Sequence, residues 1–291
     1  MKKTLYTLFA LLLTASLISW QWEKTQHPTL DKGEVIECLN METQQAYQLE
    51  ASQSKFANLH IAPAVVNPAD LLGTIVPFDA ADGKPGQAYF IPAKKKSNKW
   101  LIVIQEWWGL NDNIKMEADQ YFKDLGDVNV MAVDMYDGKV AATPDSAMKL
   151  MRGADMNRMV ALIQGAVKHA GPKASIYSVG WCFGGMWSLQ TAIIAGPQAK
   201  GSVMYYGRPE SNMEKLKSIQ CDIIGFFGNL DQSPSPAMVN TFEANMKLAG
   251  KNLTAYKYEA GHGFANPSNP SFNAAAKEDS YAKAIAFLKS H

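Results

Sequence analysis

Along most of the chain, short apolar runs alternate with longer stretches in which apolar residues recur every three or four positions, and the two periods predict different elements. WLIVIQE at 100–106 is apolar almost throughout, as expected of a strand buried on both faces of a sheet. VNVMAVD at 128–134, ASIYSVG at 174–180, GSVMYYG at 201–207, CDIIGFFG at 221–228 and LTAYKYEA at 253–260 have the same character. Helical spacing fills the intervals at 114–125, 155–170, 184–195, 236–248 and 273–289. Gly126, Gly171-Pro172 and Gly250 stop helices, and Thr143-Pro144 is a good N-cap and first-turn pair for another. Ahead of these, 74–93 reads as two strands around a turn built on Asp82-Gly83 and Pro85-Gly86. Alternation of this kind predicts an α/β fold: a mostly parallel central sheet with helices on both faces and functional loops at the carboxyl ends of the strands.

The first 72 residues break the pattern. Lys2 and Lys3 precede an apolar stretch, 5–20, interrupted only by small or hydroxyl side chains, so residues 1–22 read as an export signal. Thr14-Ala15-Ser16 offers small residues for cleavage but no A-x-A site, which leaves a retained N-terminal membrane anchor as the variant. Either way the expected location is exported, periplasmic or secreted. Residues 23–72 are polar and aperiodic, an N-terminal extension, and 73–291 form the α/β domain. With 28 basic and 27 acidic side chains, the net charge of +1 supplies no field for a nucleic-acid partner. Three cysteines, Cys38, Cys182 and Cys221, are an odd number for an oxidising compartment. If Cys182 is held for chemistry, Cys38 and Cys221 remain as a disulfide between extension and domain, or Cys221 is a buried small hydrophobe. Zinc-type spacing is absent, and no metal or other cofactor is expected.

GWCFGG at 180–185 carries the chemistry. A nucleophile on a sharp strand-to-helix turn needs small residues two places before and after it, and Gly180 and Gly184 occupy those places around Cys182. Strand-like SIYSV precedes the turn and helix-like MWSLQTAII follows it. Asp231, in the loop after IIGFFG, and His262, in AGHGF after the last strand, complete the chain order nucleophile, acid, histidine. Of five histidines, two lie in the extension, His169 in a helix and His291 at the end, so His262 is the candidate base. Asp222 competes with Asp231 for the orienting role.

GWCFGG, IVIQEWWGLN, DMYDG, FFGNLD and EAGHGFANP, in that order, resemble the dienelactone hydrolase (carboxymethylenebutenolidase) family of α/β-hydrolases over 74–291. The resemblance implies a hydrolase cleaving a small-molecule ester or lactone through a Cys182–His262–Asp231 triad. It implies that Glu106 sits beside the thiol, keeping it largely protonated until bound substrate repositions the carboxylate to take the proton. It implies an oxyanion hole made by the backbone N–H groups of Trp107 and Phe183. Family members that cleave dienelactone hold its carboxylate with two arginines, and here those positions are Gly138, beside Lys139, and Asn266. Lysine does not reproduce a bidentate clamp, so dienelactone itself is a poor expectation. Lys139, Tyr136, Trp108 and Trp181 are the candidate substrate-binding residues. A binding protein on a lapsed hydrolase fold is the alternative; a thiol-redox role lacks a C-x-x-C pair.

Overall fold

The computed structural model describes residues 42–51 and 71–291, all within one compact unit, Met41–His291. The apolar leader at 1–22 and Cys38 lie outside the described residues, and among the described residues no helix is long and apolar enough to cross a membrane. The hairpin at 74–93 becomes β1 (Thr74–Asp79) and β2 (Pro85–Ile91), antiparallel to each other. Then follow β3 (Lys99–Ile104), β4 (Asn129–Val133), β5 (Ser175–Trp181), β6 (Ala199–Tyr205), β7 (Asp222–Gly228) and β8 (Leu253–Tyr258). Among the described residues they make one sheet in the order β1-β2-β4-β3-β5-β6-β7-β8, parallel from β4 to β8. The apolar runs earn their central places: Leu101 to Ile104 and Val130 to Val133 are wholly buried, because helices cover both faces.

Helix α1 is Glu42–Ala51, inside the stretch read as an aperiodic extension. After it come α2 (Asp112–Leu125), α3 (Pro144–Arg152), α4 (Met156–Ala170), α5 (Phe183–Ala195), α6 (Met213–Ser218), α7 (Pro236–Leu248) and α8 (Ala274–Ser290). Where the expected starts are off by one residue, a cap explains the shift. Asp155 and Asn273, read as first helical residues, instead accept from the backbone N–H of Asn157 and Ala276. Thr143 closes a reciprocal capping box with Ser146 at α3.

Helix α1 escaped the hydrophobic pattern because its inward face is polar. Thr43, Gln44 and Tyr47 are buried and Gln48 half-buried. Thr43 Oγ1 donates to Glu210 Oε1 at 2.5 Å, and Gln48 Nε2 donates to the carbonyl oxygens of Met151 and Ala154 at 2.8 and 3.2 Å. The disulfide expectation does not hold on its described side: Cys221 is a free, half-buried thiol, pushed up to about 12 by burial.

The parallel topology sends every strand from β3 to β8 toward the same edge of the sheet. Beyond their carboxyl ends lie Glu106 and Trp107 after β3, Tyr136 after β4, Cys182 after β5, Tyr206 after β6, Asp231 after β7 and His262 after β8. Six distant segments thus deliver their chemistry to one end of the molecule.

Candidate active site

Cys182 stands between β5 and α5 with φ +56° and ψ −117°. A side chain in this sparsely populated region costs on the order of 1–3 kcal/mol, a cost the surroundings must impose. They do so by close backbone approach. A Cβ on Gly180 would fall 2.1 Å from the Gly184 carbonyl oxygen, and one on Gly184 would fall 2.3 Å from that of Ile104. The turn is pinned by Cys182 N–H donating to Tyr205 O at 3.0 Å and by Gly185 N–H donating back to Cys182 O at 3.0 Å. The thiol is thereby held over the sheet edge. Phe183, the first residue of α5, presents an N–H that lies outside the helix's own bonding ladder.

His262 Nδ1 and Asp231 Oδ2 are 2.8 Å apart, with both side chains almost fully shielded from solvent. The second oxygen of Asp231 accepts from the Ser233 N–H at 2.8 Å, which orients the carboxylate. The Cys182 sulfur is an electrostatic neighbour of the same imidazole. Burial opposes a charge on His262, but the Asp231 carboxylate and the Cys182 sulfur outweigh it and hold the imidazole well above its ordinary value. Asp222, the competing acid, is excluded by place: it begins β7 at the opposite end, where its oxygens meet Asn252 and His291.

Glu106 is 8% exposed, and its Oε2 accepts from Asn266 Nδ2 at 2.8 Å. Burial raises its carboxyl to about 7, against the pull of His262 and of the Asn266 amide. The asparagine at one of the two positions where the family resemblance implies arginines thus donates to the carboxylate expected to take the thiol proton. Gly138, at the other, has φ +86° in an exposed turn whose N–H donates to Asp134 at 2.5 Å.

A cavity of about 450 Å³ adjoins this cluster. Glu106, Trp181, Tyr206, Ile114 and Pro267 are among its lining, and Lys277, also on its wall, is ion-paired to Glu117 at 2.9 Å. Of the expected binding residues, Trp181 lines the cavity; Tyr136 does not, but it has the Cys182 sulfur as an electrostatic neighbour and its ring is 5.5 Å from that of Phe183. The other two reach neither. Trp108 is core, fully buried edge-on against Trp107 at 5.1 Å, because the turn after β3 folds it inward. Lys139 is exposed and lines a separate surface groove with Asp137 and Arg158.

Two tyrosines at the thiol were not foreseen. Tyr206 has φ +36° just past β6, stacks edge-on against His262 at 5.1 Å and has Glu106 and Cys182 as electrostatic neighbours. Burial, with the Cys182 sulfur adding, pushes the phenols of Tyr136 and Tyr206 well above their ordinary value, so both keep their protons. Tyr47 reaches in from α1, with its Oη 3.0 Å from Cys182 Sγ. A left-handed backbone at a strand end, or a tyrosine in a polar helix, carries no sequence signal. Among the described residues no group of three His, Cys, Asp or Glu is placed to hold a metal.

Comparison with known proteins bears on the same residues. The dienelactone hydrolase family profile matches residues 87–291. Protein usf of Aquifex pyrophilus is 27% identical over 216 residues, covering 69% of this chain and 92% of that protein. Carboxymethylenebutenolidase 1 of Cupriavidus pinatubonensis is 27% identical over 202 residues, covering 65% of this chain and 84% of the relative. In fold, the chain resembles a dienelactone hydrolase-like promiscuous phosphotriesterase from metagenomic libraries, with a TM-score of 0.63 at 23% identity over 75% of this chain and 98% of that one. A matched segment that holds the strained cysteine turn, the buried acid–histidine pair and the strand-end glutamate leaves one assignment: the chain belongs to the dienelactone hydrolase family and has the α/β-hydrolase fold.

Proposed function

We propose that this member of the family hydrolyses a neutral carboxylic ester or lactone with Cys182 as nucleophile, His262 as general base and acid, and Asp231 as the group that orients the imidazole. The observation that carries the reading is the buried His262–Asp231 contact at 2.8 Å, with the Cys182 sulfur near enough to the same ring to raise its proton affinity. Glu106 is the first proton acceptor. Its raised value, about 7, suits a group that takes a thiol proton at neutral pH. The thiolate attacks the carbonyl carbon, and the negative oxygen is held by the N–H groups of Phe183 and Trp107. Collapse breaks the ester bond, the alcohol leaves with a proton from the imidazolium, and an acyl-thiol remains. Water deprotonated by His262 then attacks the acyl carbon, releasing the acid and the Cys182 thiolate, which Glu106 reprotonates to restore the thiol.

Neutrality of the substrate follows from the charges on the cavity wall. Gly138 and Asn266 stand at the arginine positions, and Lys277 is engaged by Glu117. A substrate carboxylate would meet Glu106 and Glu117 without a free guanidinium, whereas an uncharged acyl chain finds Ile114, Trp181, Tyr206 and Pro267. The leader at 1–22 adds an exported location, which mass spectrometry of the mature N-terminus tests.

The deciding experiment is a panel of short p-nitrophenyl esters and lactones, neutral and carboxylated, with the full chain. Wild type turns over the neutral members fastest, and Cys182→Ala loses at least a thousandfold in kcat/KM. Undiminished activity in Cys182→Ala would overturn the cysteine mechanism. Equal inactivity of both proteins across the panel would favour a binding role.

A further inference from the structure

The family match begins at residue 87, yet one of the side chains on the candidate nucleophile comes from residue 47. Tyr47 is 1% exposed, and its Oη lies 3.0 Å from Cys182 Sγ. The position is built rather than incidental. One end of α1 is fastened where Thr43 Oγ1 donates to the buried Glu210, and the other where Gln48 Nε2 donates to two carbonyl oxygens, of Met151 and of Ala154 just past α3. Tyr47, one helical turn from Thr43, is brought between these fastenings onto the sulfur.

We infer that Tyr47 is a further catalytic residue of the Cys182 site, its hydroxyl donating a hydrogen bond to the thiolate sulfur and so lowering the proton affinity of the nucleophile. The inference rests on the cysteine reading above. Its logic is the inventory of donors. A thiol and a phenol can each give the proton, but a thiolate has none, so once Glu106 or His262 has taken it Tyr47 must be the donor in this pair. A hydrogen bond made to the charged form favours that form. The contribution is needed because the sulfur's other neighbours pull both ways: imidazolium His262 after β8 favours the thiolate, Glu106 after β3 opposes it, and the phenols of Tyr136 after β4 and Tyr206 after β6 stay neutral.

A plug would be the other use of a side chain placed here. None of the described side chains of α1 lines the 450 Å³ space, which is bounded instead by Glu106, Trp181 and Tyr206 among others. A substrate in that space would meet Glu106 and Tyr206 without contacting α1, so Tyr47 need not leave for it to bind.

The test is Tyr47→Phe in the full chain, which keeps the ring and its packing and removes only the donor. Two pH profiles are read. One is the rate of carbamidomethylation of Cys182 by iodoacetamide, followed on the Cys182 peptide by mass spectrometry; the other is kcat/KM on a neutral p-nitrophenyl ester. The expected result is a rise of about one pH unit in the midpoint of both, with a roughly tenfold loss of rate at pH 6 that closes above pH 9. Unmoved midpoints would overturn the proposal. Faster alkylation and turnover in Tyr47→Ala, with Tyr47→Phe like wild type, would also overturn it and make α1 a plug. The two readings fail separately. If Cys182→Ala is inactive while Tyr47→Phe titrates like wild type, the triad stands and the donor falls; if Cys182→Ala stays active, the triad falls, and the alkylation midpoint still judges Tyr47.

Discussion

Glu106 and Glu210 are both buried carboxylates at strand-end loops on the same side of the sheet, and their surroundings could hardly differ more. Glu210 is 1% exposed and saturated: Oε1 accepts from Thr43 Oγ1 and from the N–H groups of Ser211 and Asn212, and Oε2 accepts from Gln190 Nε2 at 2.8 Å and pairs with Lys215 Nζ at 3.2 Å. Among the described residues Glu106 has one side-chain donor, Asn266, and burial raises its carboxyl to about 7. Complete satisfaction makes a buried carboxylate structural. Partial satisfaction leaves a proton affinity near neutrality, which a reaction can use. Glu210 also joins the α1 helix to the domain through Thr43, so the structural carboxylate secures the helix that brings Tyr47 to the sulfur.

The largest effect is expected where the saturated site is broken. Glu210→Ala strands Lys215, whose side chain is 2% exposed, and removes the acceptor of four further side-chain and backbone groups. Removing one partner of a buried pair costs about 3–5 kcal/mol, and urea unfolding measures it. Glu210→Gln, which keeps an acceptor oxygen, should lose less. A loss below about 1 kcal/mol in the alanine variant would show that the five contacts do not act as one anchor.

The opposite sign is expected at Glu106. An unfolded glutamate ionises near 4.5 and the folded one near 7, so the folded state holds the proton more tightly. Its contribution to stability is fully present below the unfolded value and is lost as pH rises through about 7, because ionising in a dry site is disfavoured. Glu106→Gln cannot ionise. It should match wild type at pH 4.5 and exceed it at pH 8 by on the order of 3 kcal/mol, while slowing kcat/KM about a hundredfold by removing the first proton acceptor. Urea melts at the two pH values check the first part. Equal stability at both would mean that Glu106 ionises in the fold as readily as in water.

What the sequence disclosed follows the same division. The strands were legible because their burial on both faces leaves unbroken apolar runs such as 100–106, and the nucleophile turn was legible because only glycine fits at 180 and 184. Asp231 and His262 were legible from chain order, although choosing Asp231 over Asp222 required knowing which end of β7 faces the site. Helix α1 was not legible. Its buried face is Thr43, Gln44 and Tyr47, held by polar contacts rather than apolar area, and hydrophobic periodicity is blind to such a face. Tyr206 depends on a left-handed backbone that no local preference announces, and Lys139 was misplaced because neighbourhood in sequence to Tyr136 does not decide which way a turn points.

The smallest effect tests the one donor that Glu106 has. Asn266→Ala removes the amide that favours the ionised carboxylate, so burial acts with less opposition and the titration of Glu106 should rise from about 7 by less than one pH unit. Because the ionised form accepts the thiol proton, the variant should be slower than wild type at pH 6.5 and catch up above pH 9. Stability should fall by less than about 1.5 kcal/mol, since the lost bond is partly exposed to the cavity. The double variant Glu106→Gln, Asn266→Ala separates this from a change in cavity shape: with no carboxyl left to titrate, adding Asn266→Ala should leave the pH profile of Glu106→Gln where it was. A profile that shifts in the double variant would assign the Asn266 effect to the substrate side of the cavity instead.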